Sequence, residues 1–122
     1  MAKGSGSAIQ ASILVLALLC LVIHIEIADA APYNVGWTPY TARGWPNRKF
    51  KAGDVLVFKY YRSAHNVIRV NAINYNRCQT PKGARVLRSG NDRVTLTKGM
   101  NYFICNFPGH CESGMKIAIN AA

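Results

Sequence analysis

The sequence is poor in acidic residues and in histidine. It has 5 Asp and Glu residues against 15 Lys and Arg residues, a net charge of +10, and only 3 histidines. No dense basic run and no nucleic-acid recognition motif accompanies this excess of positive charge, so we expect no nucleic-acid partner. Internal repeats, low-complexity tracts and helical periodicity are also missing, which argues against a helical or repeat architecture. The 122 residues suffice for one folded domain.

Long hydrophobic runs are confined to the N-terminus. Apart from Cys20, residues 13–23 are uniformly apolar, a run shorter than the ~20 residues of a membrane-spanning helix. Ala28-Asp29-Ala30 follows with the small-residue pattern of a signal-peptidase site. We therefore predict a secretory signal peptide over residues 1–30 and a secreted, extracellular domain over residues 31–122 with no membrane anchor. The alternative is that the N-terminal segment stays in place as an anchor.

Cleavage at this point makes the charge balance more uneven. Residues 31–122 contain 14 basic and 3 acidic residues, which gives a net charge of +11. Such a surface attracts polyanions through long-range, salt-sensitive forces. We expect a monomer whose partner is either an acidic redox protein or an acidic cell-wall polysaccharide.

Cysteine and histidine are scarce enough to limit the chemistry of this domain. It keeps Cys78, Cys105 and Cys111, so one thiol has no intramolecular partner. In an oxidising compartment, a metal or an intermolecular disulfide would have to protect that thiol. The histidines of the domain are His65 and His110. Iron–sulfur clusters are excluded because they need more cysteines.

The C-terminal segment places three metal donors close together. Cys105, His110 and Met115 follow a C-x4-H-x4-M spacing, and Pro108-Gly109 turns the chain between the first two. His65 is the remaining histidine that could supply a fourth donor. Two imidazoles, a thiolate and a thioether suit one copper ion, whereas zinc, the alternative, favours more thiolates or a carboxylate.

Cys111 directly follows the candidate ligand His110. Adjacent residues of an extended chain point to opposite sides. If His110 faces the metal, Cys111 faces away and can pair with Cys78. That disulfide would stabilise the domain by about 3–4 kcal/mol in the chain-entropy description and would restrain the ligand loop.

Short strand-like runs separated by turn signals predict an all-β sandwich. The predicted strands are Tyr33–Val35, Val55–Tyr60, Asn66–Val70, Arg93–Thr97, Asn101–Cys105 and Lys116–Asn120. We predict a helical turn over Ile73–Arg77 and a loop over Gly36–Asn47, which contains Pro and Gly. At least one of Trp37 and Trp45 is expected in the core.

From Trp45-Pro46 to its C-terminus, the sequence resembles the phytocyanins, the plant cupredoxins, and within them the plantacyanin or basic blue protein branch. The motifs that carry the likeness are Phe50-Lys-Ala-Gly-Asp54, Ser63-Ala-His65-Asn66-Val67, Thr80-Pro-Lys-Gly-Ala84 and Tyr102-Phe-Ile-Cys105-Asn-Phe-Pro-Gly-His110-Cys111. Met115 stands where the stellacyanin-like branch carries Gln. Family members usually have a glycine-rich insertion before the first tryptophan. Val35-Gly36-Trp37 lacks it, so we expect a shortened first strand or loop.

The resemblance implies a cupredoxin-like Greek-key sandwich of seven or eight strands with one or two helical turns. It also implies one type 1 copper and a Cys78–Cys111 disulfide. Asn66 is implied to form hydrogen bonds across the ligand loops. The copper ligands that the family pattern assigns are His65, Cys105, His110 and Met115.

The expected function is single-electron transfer without enzymatic turnover. Four protein donors leave no open position for a substrate, whereas catalytic metal sites keep one. An oxidase would need an exchangeable ligand. The resemblance also implies an alternative function, since plantacyanin relatives are linked to signalling and guidance as secreted matrix proteins.

Overall fold

The structure of the protein, a computed structural model, describes residues 10–17 and 32–122. These parts belong to two units divided between Ala30 and Ala31, and each is described by itself. Residues 10–17 are helical. In the described part of the chain, no helix combines the length and the apolar character needed to cross a bilayer. Most of the predicted signal peptide, with its cleavage point, lies outside the described residues and stays a prediction.

Residues 32–122 form a sandwich of two sheets. Its seven strands are β1 Pro32–Gly36, β2 Val55–Lys59, β3 Val67–Val70, β4 Val86–Leu87, β5 Asn91–Thr95, β6 Gly99–Ile104 and β7 Lys116–Ala121. One sheet has the order β1-β2-β5 and the other the order β4-β3-β6-β7. β1 and β2 are parallel, and all other pairs are antiparallel. In β7, Ile117, Ile119 and Ala121 are buried in alternation, as expected for a strand with one face on the core.

Three aromatic side chains join the two sheets in the core. Phe58 of β2 lies edge-on to Trp37 at 5.1 Å between ring centroids and contacts Phe103 of β6 at 5.2 Å. All three are fully buried. Aromatic pairs of this kind contribute about 0.5–1.5 kcal/mol beyond their buried area. The expectation of a core tryptophan is therefore confirmed for Trp37, while Trp45 is half-buried and stacks on Phe50.

Three strands differ from the predictions. β6 begins at Gly99, two residues before the predicted start, because Gly99 and Met100 pair with β7. β4 was not predicted, because its two apolar residues lie between Arg85 and Arg88 and are too few to show alternation. They form a strand only through pairing with Val67 and Ile68 of β3. β5 begins at Asn91 and ends at Thr95, two residues earlier at both ends than predicted. The regular ladder stops there because the Asp54 N–H donates to the Lys51 carbonyl at 3.1 Å, while the Leu96 carbonyl accepts from the Gly53 N–H at 2.9 Å.

Residues 32–122 contain two short helices, α1, Pro39–Ala42, and α2, Ala72–Arg77. α2 agrees with the predicted helical turn and is capped by the Asn71 side chain. α1 lies inside the segment predicted as a loop. It forms because Thr38 and Thr41 make a reciprocal capping box and Pro39 suits the first helical turn.

Candidate metal centre

The antiparallel sheet brings the predicted ligands to one end of the sandwich. Ile68 of β3 pairs with Ile104 of β6, and Ile104 pairs with Lys116 of β7. The start of β3, the end of β6 and the start of β7 therefore meet. His65 precedes β3 by two residues, Cys105 directly follows β6, and Met115 directly precedes β7.

The β6–β7 loop folds back on itself so that His110 faces Cys105. The His110 N–H donates to the Phe107 carbonyl at 3.0 Å, and the Met115 N–H donates to the His110 carbonyl at 3.0 Å. Gly109 and Gly114 have φ angles of +79° and +105°, in the left-handed region that favours glycine. These turns hold the three donors of the loop around one point.

Three of the four predicted donors converge closely. The Nδ1 atoms of His65 and His110 lie 3.1 Å apart, and His110 Nδ1 lies 3.6 Å from Cys105 Sγ. The three ligand atoms are all within 4.8 Å of one another. Met115 is fully buried in the same core cluster as Cys105, whose N–H donates to the Met115 carbonyl at 3.2 Å. Among residues 10–17 and 32–122, no carboxylate joins this cluster.

The surroundings shift the pKa values of two donors in opposite directions. Burial raises the pKa of the Cys105 thiol, while the backbone N–H groups of Asn66 and Phe107 donate to its sulfur and oppose that rise. A cation beside the sulfur would therefore compensate for burial of the thiolate. Burial and the neighbouring His110 lower the pKa of His65, which favours the neutral imidazole that acts as a ligand.

Asn66 connects the two segments that supply the donors. Its Oδ1 accepts from the Asn106 N–H at 2.9 Å, and its Nδ2 donates to Asn106 Oδ1 at 2.5 Å. These are the bonds across the ligand loops that the family resemblance implied. The Asn66 carbonyl also accepts from Trp37 Nε1 at 2.8 Å. A buried tryptophan thus braces the segment next to His65.

Sequence reasoning missed three residues that support the site. Asn106 donates through Nδ2 to Thr80 Oγ1 at 3.1 Å, and Arg43 donates to the Ser113 carbonyl at 3.2 Å. Phe107 stacks against the His110 ring at 5.7 Å between centroids. The position of Asn106 and Phe107 directly after Cys105 was a usable signal. Arg43 is 70 residues away from Ser113 in the sequence, so no local pattern indicated that it supports the ligand loop.

The predicted Cys78–Cys111 disulfide is confirmed, with a Cα–Cα distance of 5.6 Å. It joins the C-terminal end of α2 to the ligand loop. Cys105 is the free cysteine of the described chain and is fully buried. An intermolecular disulfide through Cys105 is therefore inconsistent with this structure, because the sulfur is not at the surface.

The donor set fits copper. Two imidazoles, a thiolate and a thioether match the soft and borderline ligands that copper accepts with a weak axial sulfur. The fold and the four donors, placed at one end of a two-sheet sandwich, define a cupredoxin-type blue copper centre.

Comparison with known proteins identifies the family. A family model described as "Plastocyanin-like domain" matches residues 37–115. The chain is 51% identical to chemocyanin from Lilium longiflorum over 100% of both chains, and 51% identical to basic blue protein from Arabidopsis thaliana over 99% of both. The solved structure of cucumber basic protein, a blue copper protein, has a TM-score of 0.71 and 52% identity, covering 75% of this chain and 99% of that one. The chain belongs to the phytocyanin family of plastocyanin-like blue copper proteins.

Family membership confirms the predicted fold class and cofactor. The fold is the cupredoxin sandwich, and the cofactor is copper. His65, Cys105, His110 and Met115 are positioned as a type 1 copper site.

Proposed function

We propose that the protein carries single electrons through one copper ion held by His65, Cys105, His110 and Met115. The phytocyanin family supports the copper electron-carrier role. The observation that carries the proposal is the convergence of two imidazole nitrogens and one buried sulfur within 4.8 Å. Bound copper would supply the one-electron chemistry, while the braced loops keep the donors in place in both oxidation states.

We further propose that the site performs no enzymatic turnover. Met115 is fully buried and completes a set of four protein donors, so no coordination position is left for a substrate. Electrons would enter and leave through the imidazole of His110, which is half-buried in the surface loop and stacked on Phe107.

A basic surface beside the centre supports docking of an acidic redox partner. A cavity of about 330 Å³ is lined by His65, Arg62, Arg88, Phe107 and Pro108, among others. Two guanidinium groups next to a ligand attract a carboxylate-rich partner, and the apolar rings provide contact area. Replacing Arg62 and Arg88 by Gln should slow reduction by an acidic redox protein at low salt. Replacing the exposed Lys49 and Lys98 by Gln is the control with equal charge.

An extracellular location agrees with the chemistry of the domain. Disulfides such as Cys78–Cys111 form and persist mainly in oxidising compartments. The predicted signal-peptidase site after Ala30 provides a route of export. Detection of a mature N-terminus at Ala31 in protein recovered from culture medium tests this assignment.

The decisive experiment is the visible spectrum and the electron-transfer rate of the copper-loaded protein. The wild-type protein should show the intense charge-transfer band of a thiolate–copper bond and should exchange electrons rapidly with a soluble redox mediator. Cys105→Ser should abolish that band. Met115→Leu should shift the reduction potential, whereas Met100→Leu, at a half-exposed methionine of β6, should leave it unchanged. A colourless copper-loaded wild type would overturn the proposal.

A second candidate is a matrix signalling or guidance function through acidic polysaccharide. It is favoured by the distribution of charge in the described domain. Of its three carboxylates, Asp54 and Asp92 are buried and only Glu112 is exposed, against 14 basic residues. If the biological effect survives Cys105→Ser, signalling rather than electron transfer is the function.

A further inference from the structure

A second cavity lies between the edges of the two sheets. Its volume is about 630 Å³, and its walls include parts of β4 and β5. β4 is an edge strand of one sheet and β5 an edge strand of the other. None of the four copper donors lines this cavity. It is therefore separate from the copper centre and from the basic surface beside His65.

The rim of this cavity is cationic and contains no carboxylate. The basic side chains that line it are Arg69, Lys82, Arg85 and Arg93. The carboxylates of the domain are placed elsewhere. Asp54 accepts from the Lys51 N–H, Asp92 is bonded to Ser89 and Tyr60, and Glu112 lies in the ligand loop. No side-chain carboxylate of the domain neutralises the rim, so its positive charge can interact with an external anion.

Arg69 is held in a fixed position in the wall. Its guanidinium donates to the Thr95 carbonyl at 3.0 Å, to Thr97 Oγ1 at 3.1 Å and to Asn101 Oδ1. It also lies over the Phe103 ring, 5.4 Å from the centroid. A preorganised cation loses less conformational entropy when an anion binds, so Arg69 is a ready anchor.

The floor of the cavity is apolar. Leu87, Val94 and Phe103 contribute to it below the cationic rim. The volume falls within the roughly 300–1,000 Å³ of sites that hold ligands larger than a simple ion. Sugar rings present apolar C–H faces and hydroxyl edges, so a floor of this kind suits a pyranose ring better than a phosphate ion.

An acidic peptide fits this place less well. Peptides that add to a sheet edge need a row of free backbone groups. β4 has only two residues, and the Thr95 carbonyl of β5 already accepts from Arg69. Recognition here must therefore come from side-chain charge and from the apolar floor rather than from strand addition.

We propose that the cavity between β4 and β5 binds a segment of a carboxylated polysaccharide, with uronate carboxylates on Arg69, Lys82, Arg85 and Arg93. This inference rests on the proposed extracellular location, which would expose the protein to such polymers. It does not depend on copper or on electron transfer.

The test compares two triple variants of the full domain for binding to a purified oligogalacturonate by calorimetry. The first carries Lys82→Gln, Arg85→Gln and Arg93→Gln and leaves Arg69 in place, since Arg69 also braces β5. The matched control carries Lys49→Gln, Arg77→Gln and Lys98→Gln, which removes the same charge from exposed positions outside this cavity. We expect the cavity variant to lose affinity at least about tenfold and the control at most about twofold. Arg69→Lys, measured with its unfolding curve, should weaken binding without unfolding the domain.

Further measurements separate this inference from the proposed electron transfer. Oligogalacturonate should shift the backbone amide resonances of residues 82–87 and 93–95 equally in copper-free and copper-loaded protein. The cavity variant should keep the blue spectrum and the mediator rate of the wild type. Equal losses of affinity in the two triple variants would overturn the proposal, as would binding of polyglutamate or inorganic phosphate as tightly as oligogalacturonate.

Discussion

The two sheets of the sandwich differ in what they carry. The β4-β3-β6-β7 sheet and its connecting loops hold all four proposed copper ligands and both disulfide cysteines. The β1-β2-β5 sheet holds none of them and contributes apolar side chains such as Leu56 and Phe58. The centre is therefore built from one sheet, while the other sheet closes the core behind it. This division implies that mutations can separate global stability from copper chemistry.

The largest change in stability is expected when a buried side chain is removed from the β1-β2-β5 sheet, which carries no copper ligand. Leu56→Ala removes a fully buried side chain of β2 and should lower the free energy of unfolding by about 3–5 kcal/mol. Below the unfolding transition, the copper-loaded variant should keep the wild-type visible spectrum. The loss of stability is measured by denaturant titration monitored by circular dichroism. A changed copper spectrum in the folded variant would show that the sheets are not separable.

Removal of the disulfide tests the sheet that carries the site. Cys78→Ala combined with Cys111→Ala should lower the stability by about 3–4 kcal/mol, because the bridge closes a separation of 33 residues. In contrast to Leu56→Ala, this variant should also bind copper more weakly, since Cys111 adjoins His110. Competition with a copper chelator measures the affinity. Glu112→Gln, in the same loop, is the control and should change neither quantity.

Asn66→Ala probes the connection between the two ligand-bearing segments. The change removes both side-chain bonds to Asn106 and leaves a buried gap, which should cost about 1–3 kcal/mol. The visible band and the reduction potential should also shift, since the loop is less restrained. The control is Asn71→Ala, which removes the N-cap side chain of α2 at a position away from the copper ligands. It should lower stability without moving the potential.

The smallest change in stability is expected for Tyr60, whose hydroxyl connects the two sheets. Its hydroxyl bonds to Asp92 of β5 and lies 3.0 Å from the Leu87 carbonyl of β4. Burial and the hydrogen bond to Asp92 raise its pKa to about 12. Tyr60→Phe should cost about 0.5–1.5 kcal/mol at neutral pH.

The same residue gives a pH dependence with a defined sign. The folded state holds the phenol proton more tightly than the unfolded chain, whose pKa is near 10.0. The contribution of Tyr60 is therefore complete below about pH 10 and is lost as the pH rises toward 12. In unfolding experiments across this pH range, the free energy of unfolding of Tyr60→Phe should decline less steeply than that of the wild type. Identical slopes would contradict the raised pKa.

The candidate site was predictable because its donors are rare and regularly spaced. Two histidines remain after residue 30, and the odd cysteine needs a protecting partner. Most strands were also predictable, because alternation in β7 or the apolar run in β2 is a local property of the chain. β4 and α1 were not, since a two-residue strand exists only through its neighbour and α1 depends on a capping box inside a loop containing Pro and Gly.

The sequence alone determined the donor types, the metal they suit and the class of fold. These depend on residue chemistry and on local periodicity. Only the tertiary structure decided that Trp37 and Asn106 brace the ligand segments and that Arg69 faces a cavity without carboxylates. Those contacts join residues far apart in the chain, and the physical reason is that strand register and core packing, not spacing, determine which distant side chains meet.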